Sequence, residues 1–231
     1  GTSLLKDINA SAGTGSNPTS FAVLTAPCFA TGTLIATPDG QRPVEALRKG
    51  DLVLTHAGKA RPVNWVGLRH LDLTQHPAPQ AACPIRITAG ALADGIPARD
   101  LRVSPEHAMY LLDSLVPARF LVNGATILRE TDCRRVTYHH IELQTHDILL
   151  AEGAPSESYL DTGNRGQFEN SDAPLILHPM FEDGQEGRIG RSCAPFLDDA
   201  AVLEPLWRGL ANRAAALGRA LPDAGATTSD A

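Results

Sequence analysis

From residue 28 to about residue 160, apolar positions recur in short runs, and turn residues close nearly every run. "TLIAT" (33–37), "LVLT" (52–55) and "RPVNWVGLRH" (61–70) read as strands. "PDGQRP" (38–43), "VEALRKGD" (44–51) and "HAGKA" (56–60) supply the turn chemistry between them. After a proline-rich loop at 71–82, strand-like runs resume at 84–92, 99–104, 107–112, 119–122, 125–130, 134–144 and 147–153. About ten short strands, each closed by a turn signal, with no run at helical period, predict an all-β domain of sandwich or barrel-like type.

The pattern changes after residue 160. Residues 161–196 carry few strand signals and predict extended loops. In "VLEPLWRGLANRAAALG" (202–218), Leu203, Leu206, Trp207, Leu210, Ala214 and Leu217 recur at steps of three and four. That spacing predicts an amphipathic helix at about 202–217, ended by Gly218 and docked on the β-domain or on a partner. Residues 1–23 are rich in Gly, Ser, Thr and Asn. The predicted organisation is a flexible leader (1–27), a β-domain (28–165), a C-terminal extension (166–221) and a disordered tail (222–231).

Composition narrows the class of protein. Apolar residues make up 43% and charged residues 20% of the 231, which is the balance of a globular chain rather than a disordered one. The net charge of −6, with no long basic run, excludes a nucleic-acid footprint. No apolar stretch is long enough to span a membrane, and the first twenty residues lack the basic and apolar regions of a signal peptide. The four cysteines, Cys28, Cys83, Cys133 and Cys193, are widely scattered and form no CxxC or zinc-finger spacing. No metal or cofactor is predicted. Cys83, Cys133 and Cys193 read as structural, and Trp65 and Trp207 as core.

Cys28 is the exception, because it follows Pro27 immediately ahead of the first strand pattern. A thiol attacks as a thiolate, so a reactive cysteine needs a base nearby and a donor for the departing group. Four of the eight histidines crowd into two strand-rich stretches, "VSPEHAMYL" and "TYHHIELQTHDILLAEG". In the first, Ser104 and His107 stand three apart across Pro105, a spacing that brings both side chains into one turn. In the second, His139 and His140 must face opposite sides of their strand, and His146 opens the next with Asp147 beside it. His56, His70, His76 and His178 lie in turn-rich segments and read as solvated. Glu152, Glu157 and Ser158 in "AEGAPSES" lack the GxSxG frame of a serine hydrolase.

Three blocks, "CFATGTLIATPDGQRPVEALRKGDLVLT", "RDLRVSPEH" and "YHHIELQTHDILLAEGAPSESYLDTGNR", together resemble a Hint domain, the module shared by hedgehog autoprocessing domains and inteins. They are most similar to its bacterial subfamily, and the resemblance covers about 28–165. It implies a compact β horseshoe of many short strands. It also implies that Cys28 attacks the carbonyl of Pro27 by an N-to-S acyl shift, giving a thioester. His107 would protonate the departing nitrogen and Ser104 would hydrogen-bond the scissile peptide. His140 falls at a block position often held by Asp that assists the shift, and His146 matches a later block histidine. His139 and Asp147 are secondary candidates.

No His-Asn pair followed by Cys, Ser or Thr closes the β-region, so ligation of flanking segments is not expected. The thioester would pass to water, a thiol, an amine or an alcohol, and the chain's own upstream segment would be the substrate. Pro27 crowds the scissile carbonyl, which predicts slow turnover aided by added thiol. The alternative is a non-catalytic β module, acting as a binding or structural appendage of a larger secreted protein. Extracellular or cell-surface placement rests on the resemblance alone.

Overall fold

The computed structural model describes residues 26–171, 188 and 190–221. The first five strands are β1 (Phe29–Ala30), β2 (Leu34–Thr37), β3 (Gly40–Pro43), β4 (Leu52–Leu54) and β5 (Ala60–Asp72). Next come β6 (Ile85–Ile87), β7 (Leu101–Val103), β8 (Ala108–Leu111) and β9 (Ser114–Pro117). β10 (Ile127–Arg129), β11 (Arg135–Leu143), β12 (Ile148–Ala151), β13 (Ala154–Glu157) and the helix α1 (Ala200–Ala216) complete the order.

These strands form two antiparallel sheets and no closed barrel. One has seven strands in the order β10-β6-β7-β1-β11-β5-β4, and the other has six in the order β3-β2-β12-β13-β8-β9. The two longest strands, β5 and β11, pair with each other and carry most of the first sheet. β1 is only two residues long, yet it is wedged between β11 and β7, with Phe29 opposite both His139 and Val103. The main core gathers Phe29, Ile85, Leu101, Met109, Ile141 and Leu149 with other aliphatic residues of both sheets.

The expectation of an all-β fold with one helix holds, with local corrections. Residues 119–122 do not form a strand: Ala118–Leu121 is a 3-10 turn, and Val44–Ala46 is another. An apolar run of four residues does not by itself distinguish the two states. The strand expected over 84–92 stops at Ile87, where the Ala89 N–H turns to the Asp100 carboxylate (2.9 Å). β9 and β13 were not expected. The turn into β9 uses Leu112 and Asp113, both left-handed at φ 49° and 58°, so no glycine marks it. β13 carries Pro155, which argues against a strand in sequence.

The leader expected over 1–27 is not loose at its end, because Ala26 and Pro27 are both buried. His76, expected in solvent, is buried as well, and its Nδ1 accepts the Ala78 N–H (3.1 Å). His56 and His70 are exposed, whereas His178, the rest of the leader and the tail lie outside the described residues.

α1 starts at Asp199, whose side chain accepts the Ala201 N–H (2.8 Å). At its end Gly218 has φ +70°, and Arg219 N–H reaches Ala214 O, closing a Schellman motif. Leu203, Leu210, Ala211 and Ala214 are buried, and Trp207 Nε1 donates to Val122 O (2.8 Å), so the helix docks on the β-domain. Leu217, expected in the buried stripe, is 47% exposed, because the chain turns away at the cap. Among the described residues, no helix is long and apolar enough to cross a membrane.

Candidate active site

The site is built where β7 ends beside β1. Ser104 N–H donates to Cys28 O (2.9 Å), extending the ladder by one residue. Cys28 N–H in turn donates to Ser104 Oγ (2.9 Å), and that hydroxyl donates to Ala26 O (3.2 Å). One serine therefore holds both backbone polar groups of Cys28, including the nitrogen of the Pro27–Cys28 peptide bond. The Cys28 thiol is fully buried and donates to Ala26 O at 3.5 Å. Burial pushes the thiol far above its ordinary range; Arg69 opposes this and Glu157 adds to it.

His107 follows one tight turn later, its N–H bonded to Ser104 O (3.1 Å). Its ring packs 4.3 Å from the Phe29 ring and 5.8 Å from that of His140. His107 and His140 are completely buried, and among the described residues no ring nitrogen of either has a hydrogen-bond partner. Burial depresses His107 to about 4, with Glu157 working against the fall and Arg188 with it. His140 is depressed by burial and then by His107. The Ser158 backbone lies near enough to favour its charged form, but no bond of ordinary geometry joins them. Both imidazoles are thus neutral at physiological pH, ready to accept a proton.

The structure separates the adjacent pair. His140 faces His107 and Tyr159 (4.8 Å between the latter rings), whereas the ring of His139 lies 2.8 Å from Thr31 Oγ1 on the other side of β11. The His146 side chain is buried between Cys193 and Glu157: its Nδ1 accepts the Cys193 N–H (3.0 Å), so its Nε2 carries the proton and points at Glu157 Oε2, 3.5 Å away. Asp147 serves its own turn, accepting the Ile148 N–H (2.8 Å), and is not brought to the thiol.

Glu157 is the residue that sequence reasoning set aside. It is fully buried, accepts the Ala108 N–H (2.8 Å) just after His107, and pairs with Arg188 Nη1 (2.7 Å). Burial opposes its charge, but Arg188 and His146 outweigh burial and hold the carboxyl well below the usual range. No motif in the sequence signals this role.

An aromatic wall closes the far side of His140. Trp65, Tyr159 and Phe168 pack at ring separations of 5.1–5.7 Å, with Phe168 edge to face against both of the others. Gly67, the cross-strand partner of His140, makes room for them. A Cβ on Gly67 would lie 2.5 Å from the Trp65 ring and 2.7 Å from Phe168. Gly67→Ala is expected to cost about 1–3 kcal/mol in urea unfolding, because two packed rings must shift. An unchanged midpoint would show that the wall is loose. Among the described residues, no group of three or more His, Cys, Asp or Glu side chains is placed to hold a metal ion.

The Hint domain family model matches residues 27–163, and the chain belongs to the Hint domain family. Hint and intein-like domains are self-processing. Among solved structures, the gp41-1 intein is 18% identical, covering 56% of this chain and 97% of its own, with a TM-score of 0.42. A bacterial intein-like domain from Clostridium thermocellum is 14% identical, covering 57% of this chain and 98% of its own, with a TM-score of 0.41. A DnaB intein from Synechocystis sp. PCC 6803 is 10% identical, covering 58% and 99%, with a TM-score of 0.42. No curated protein sequence matches the chain.

Proposed function

We propose that this chain cleaves itself between Pro27 and Cys28 through a thioester, without splicing. The observation that carries this reading is the Ser104 hydroxyl seated on the Cys28 N–H, the nitrogen that must leave. In the proposed sequence, a neutral buried histidine, His107, takes the Cys28 proton as sulfur adds to the Pro27 carbonyl. The C–N bond then breaks, and the same proton passes to the departing nitrogen. The result is a thioester from Pro27 to Cys28 Sγ and a free amine on Cys28. His140, in ring contact with His107, is the second proton carrier of the pair. Water, a thiol, an amine or an alcohol then takes the acyl group, leaving Cys28 as a thiol.

The deep burial of the thiol supports a second reading, a Hint fold kept as a binding or structural appendage without cleavage. Ser104 variants bear on the choice. Ser104→Ala removes the acceptor on the leaving nitrogen and is expected to slow cleavage by about ten- to a hundredfold. Ser104→Thr keeps the hydroxyl and is expected to cleave within a few-fold of the parent chain. Intact-mass time courses supply the rates, and equal rates for Ser104→Ala and the parent would remove Ser104 from the mechanism.

A further inference from the structure

We infer that Arg188, carried by the C-terminal extension, is a positioning residue for His107 that acts through the buried carboxylate of Glu157. This inference rests on the self-cleavage reading and extends it to a part of the chain that the family match, ending at residue 163, does not reach.

The geometry is specific. Arg188 is 11% exposed and Glu157 is 0% exposed, so their 2.7 Å ion pair is shielded from solvent. The other carboxylate oxygen of Glu157 holds the N–H of Ala108, which ties the carboxylate to the start of β8, one residue after His107. Arg188 is itself clamped, with its guanidinium stacked 4.1 Å over the Phe196 ring. Phe196 stands in a segment that adds to β9: Leu115 N–H donates to Pro195 O (2.8 Å), and Leu197 N–H to Leu115 O (2.9 Å). Cys193 N–H fixes His146 on the same side. The extension is therefore bonded to Glu157, to β9 and to His146.

A buried carboxylate without a cation either takes up a proton or draws one onto a neighbouring base. The groups around His107 and Glu157 are Arg188, His140, His146, Cys28 and the Glu106–Arg119 ion pair. Arg188 is the cation in direct contact with the carboxylate. Burial is the main cause that keeps the His107 imidazole neutral; Glu157 favours the charged form and Arg188 offsets Glu157, so the arginine adds to burial in setting the pH at which the ring takes up a proton.

The test follows the His107 ring by NMR in the full chain, with labelled histidine and Cys28→Ala in the background. Arg188→Gln and Arg188→Ala should each raise the His107 titration midpoint by about one pH unit. Adding Glu157→Gln to Arg188→Gln should cancel the rise, and it also removes the unpaired buried charge that threatens folding of the single variants. In the cleaving chain, the acid limb of the rate should move to higher pH in Arg188→Gln by the same amount. A His107 midpoint and an acid limb that both ignore Arg188→Gln would overturn the inference. The titration does not depend on cleavage, so it separates this failure from a failure of the self-cleavage reading, which would appear as Cys28→Ala cleaving like the parent.

Discussion

Cys28→Ala is expected to abolish cleavage, reducing its rate by about a thousandfold or more, because losing a nucleophile leaves only the binding and polarising groups. The parent chain, incubated with dithiothreitol, should give a fragment of residues 28–231 with Cys28 at its new amino terminus. The thiol should accelerate this by attacking the proposed Pro27 thioester, and hydroxylamine should do the same and leave a hydroxamate on Pro27. Two features are expected to make the reaction slow. Burial keeps the Cys28 sulfur protonated until a histidine takes the proton. Pro27 is itself buried, and its ring restricts the backbone beside the carbon under attack. Pro27→Gly is accordingly expected to cleave faster than the parent. A chain that stays whole with thiol, with hydroxylamine and with Pro27→Gly would turn the argument to the non-catalytic module. Fragments of equal yield from Cys28→Ala would mean that another group makes the cut.

What could be read in the sequence was what is local. Ser104 and His107 share one turn, so their spacing alone put them together, and the structure shows the turn closed by a hydrogen bond between them. The period-two alternation around residue 140 showed that His139 and His140 diverge, but alternation has no absolute phase. Only the pairing of β11 with β1 and β5 decides which one faces His107. The Glu157–Arg188 pair could not be read, because it joins residues 31 apart and takes its force from burial rather than from any motif. Gly67 was equally silent: its lack of a side chain matters only because Trp65 and Phe168 fold over it from two different elements. The missed strands have separate causes: Leu112 and Asp113 turn left-handed into β9 without glycine, and Pro155 sits inside the ladder of β13. The helix stripe was legible because its period is local, and only its last residue, Leu217, lies outside the packed face.

Acid is expected to unfold this domain well before its carboxylates titrate. His107 is neutral in the folded chain, with its ordinary value of 6.5 lowered to about 4 by burial. The unfolded chain takes up a proton there below pH 6.5, whereas the folded one does not until about pH 4. Stability is therefore full above 6.5 and falls as the pH drops through that window. At about 1.4 kcal/mol for each unit of difference, His107 alone accounts for about 3 kcal/mol by the lower end. His140 is depressed by the same cause and acts in the same direction. Glu157, held low by Arg188 and His146, adds its loss only at lower pH still, once unfolded carboxylates begin to take up protons. Urea unfolding of the Cys28→Ala chain, free of cleavage, should show the midpoint falling steadily between pH 7 and about pH 5. His107→Leu should flatten that slope, because it removes the proton uptake, although it also exchanges a ring packed on Phe29 for an aliphatic side chain. An unaltered slope in His107→Leu would mean that the imidazole is not held neutral by the fold. The proton exchange assigned to His107 would then need another carrier, and His140 is the buried base that could take its place.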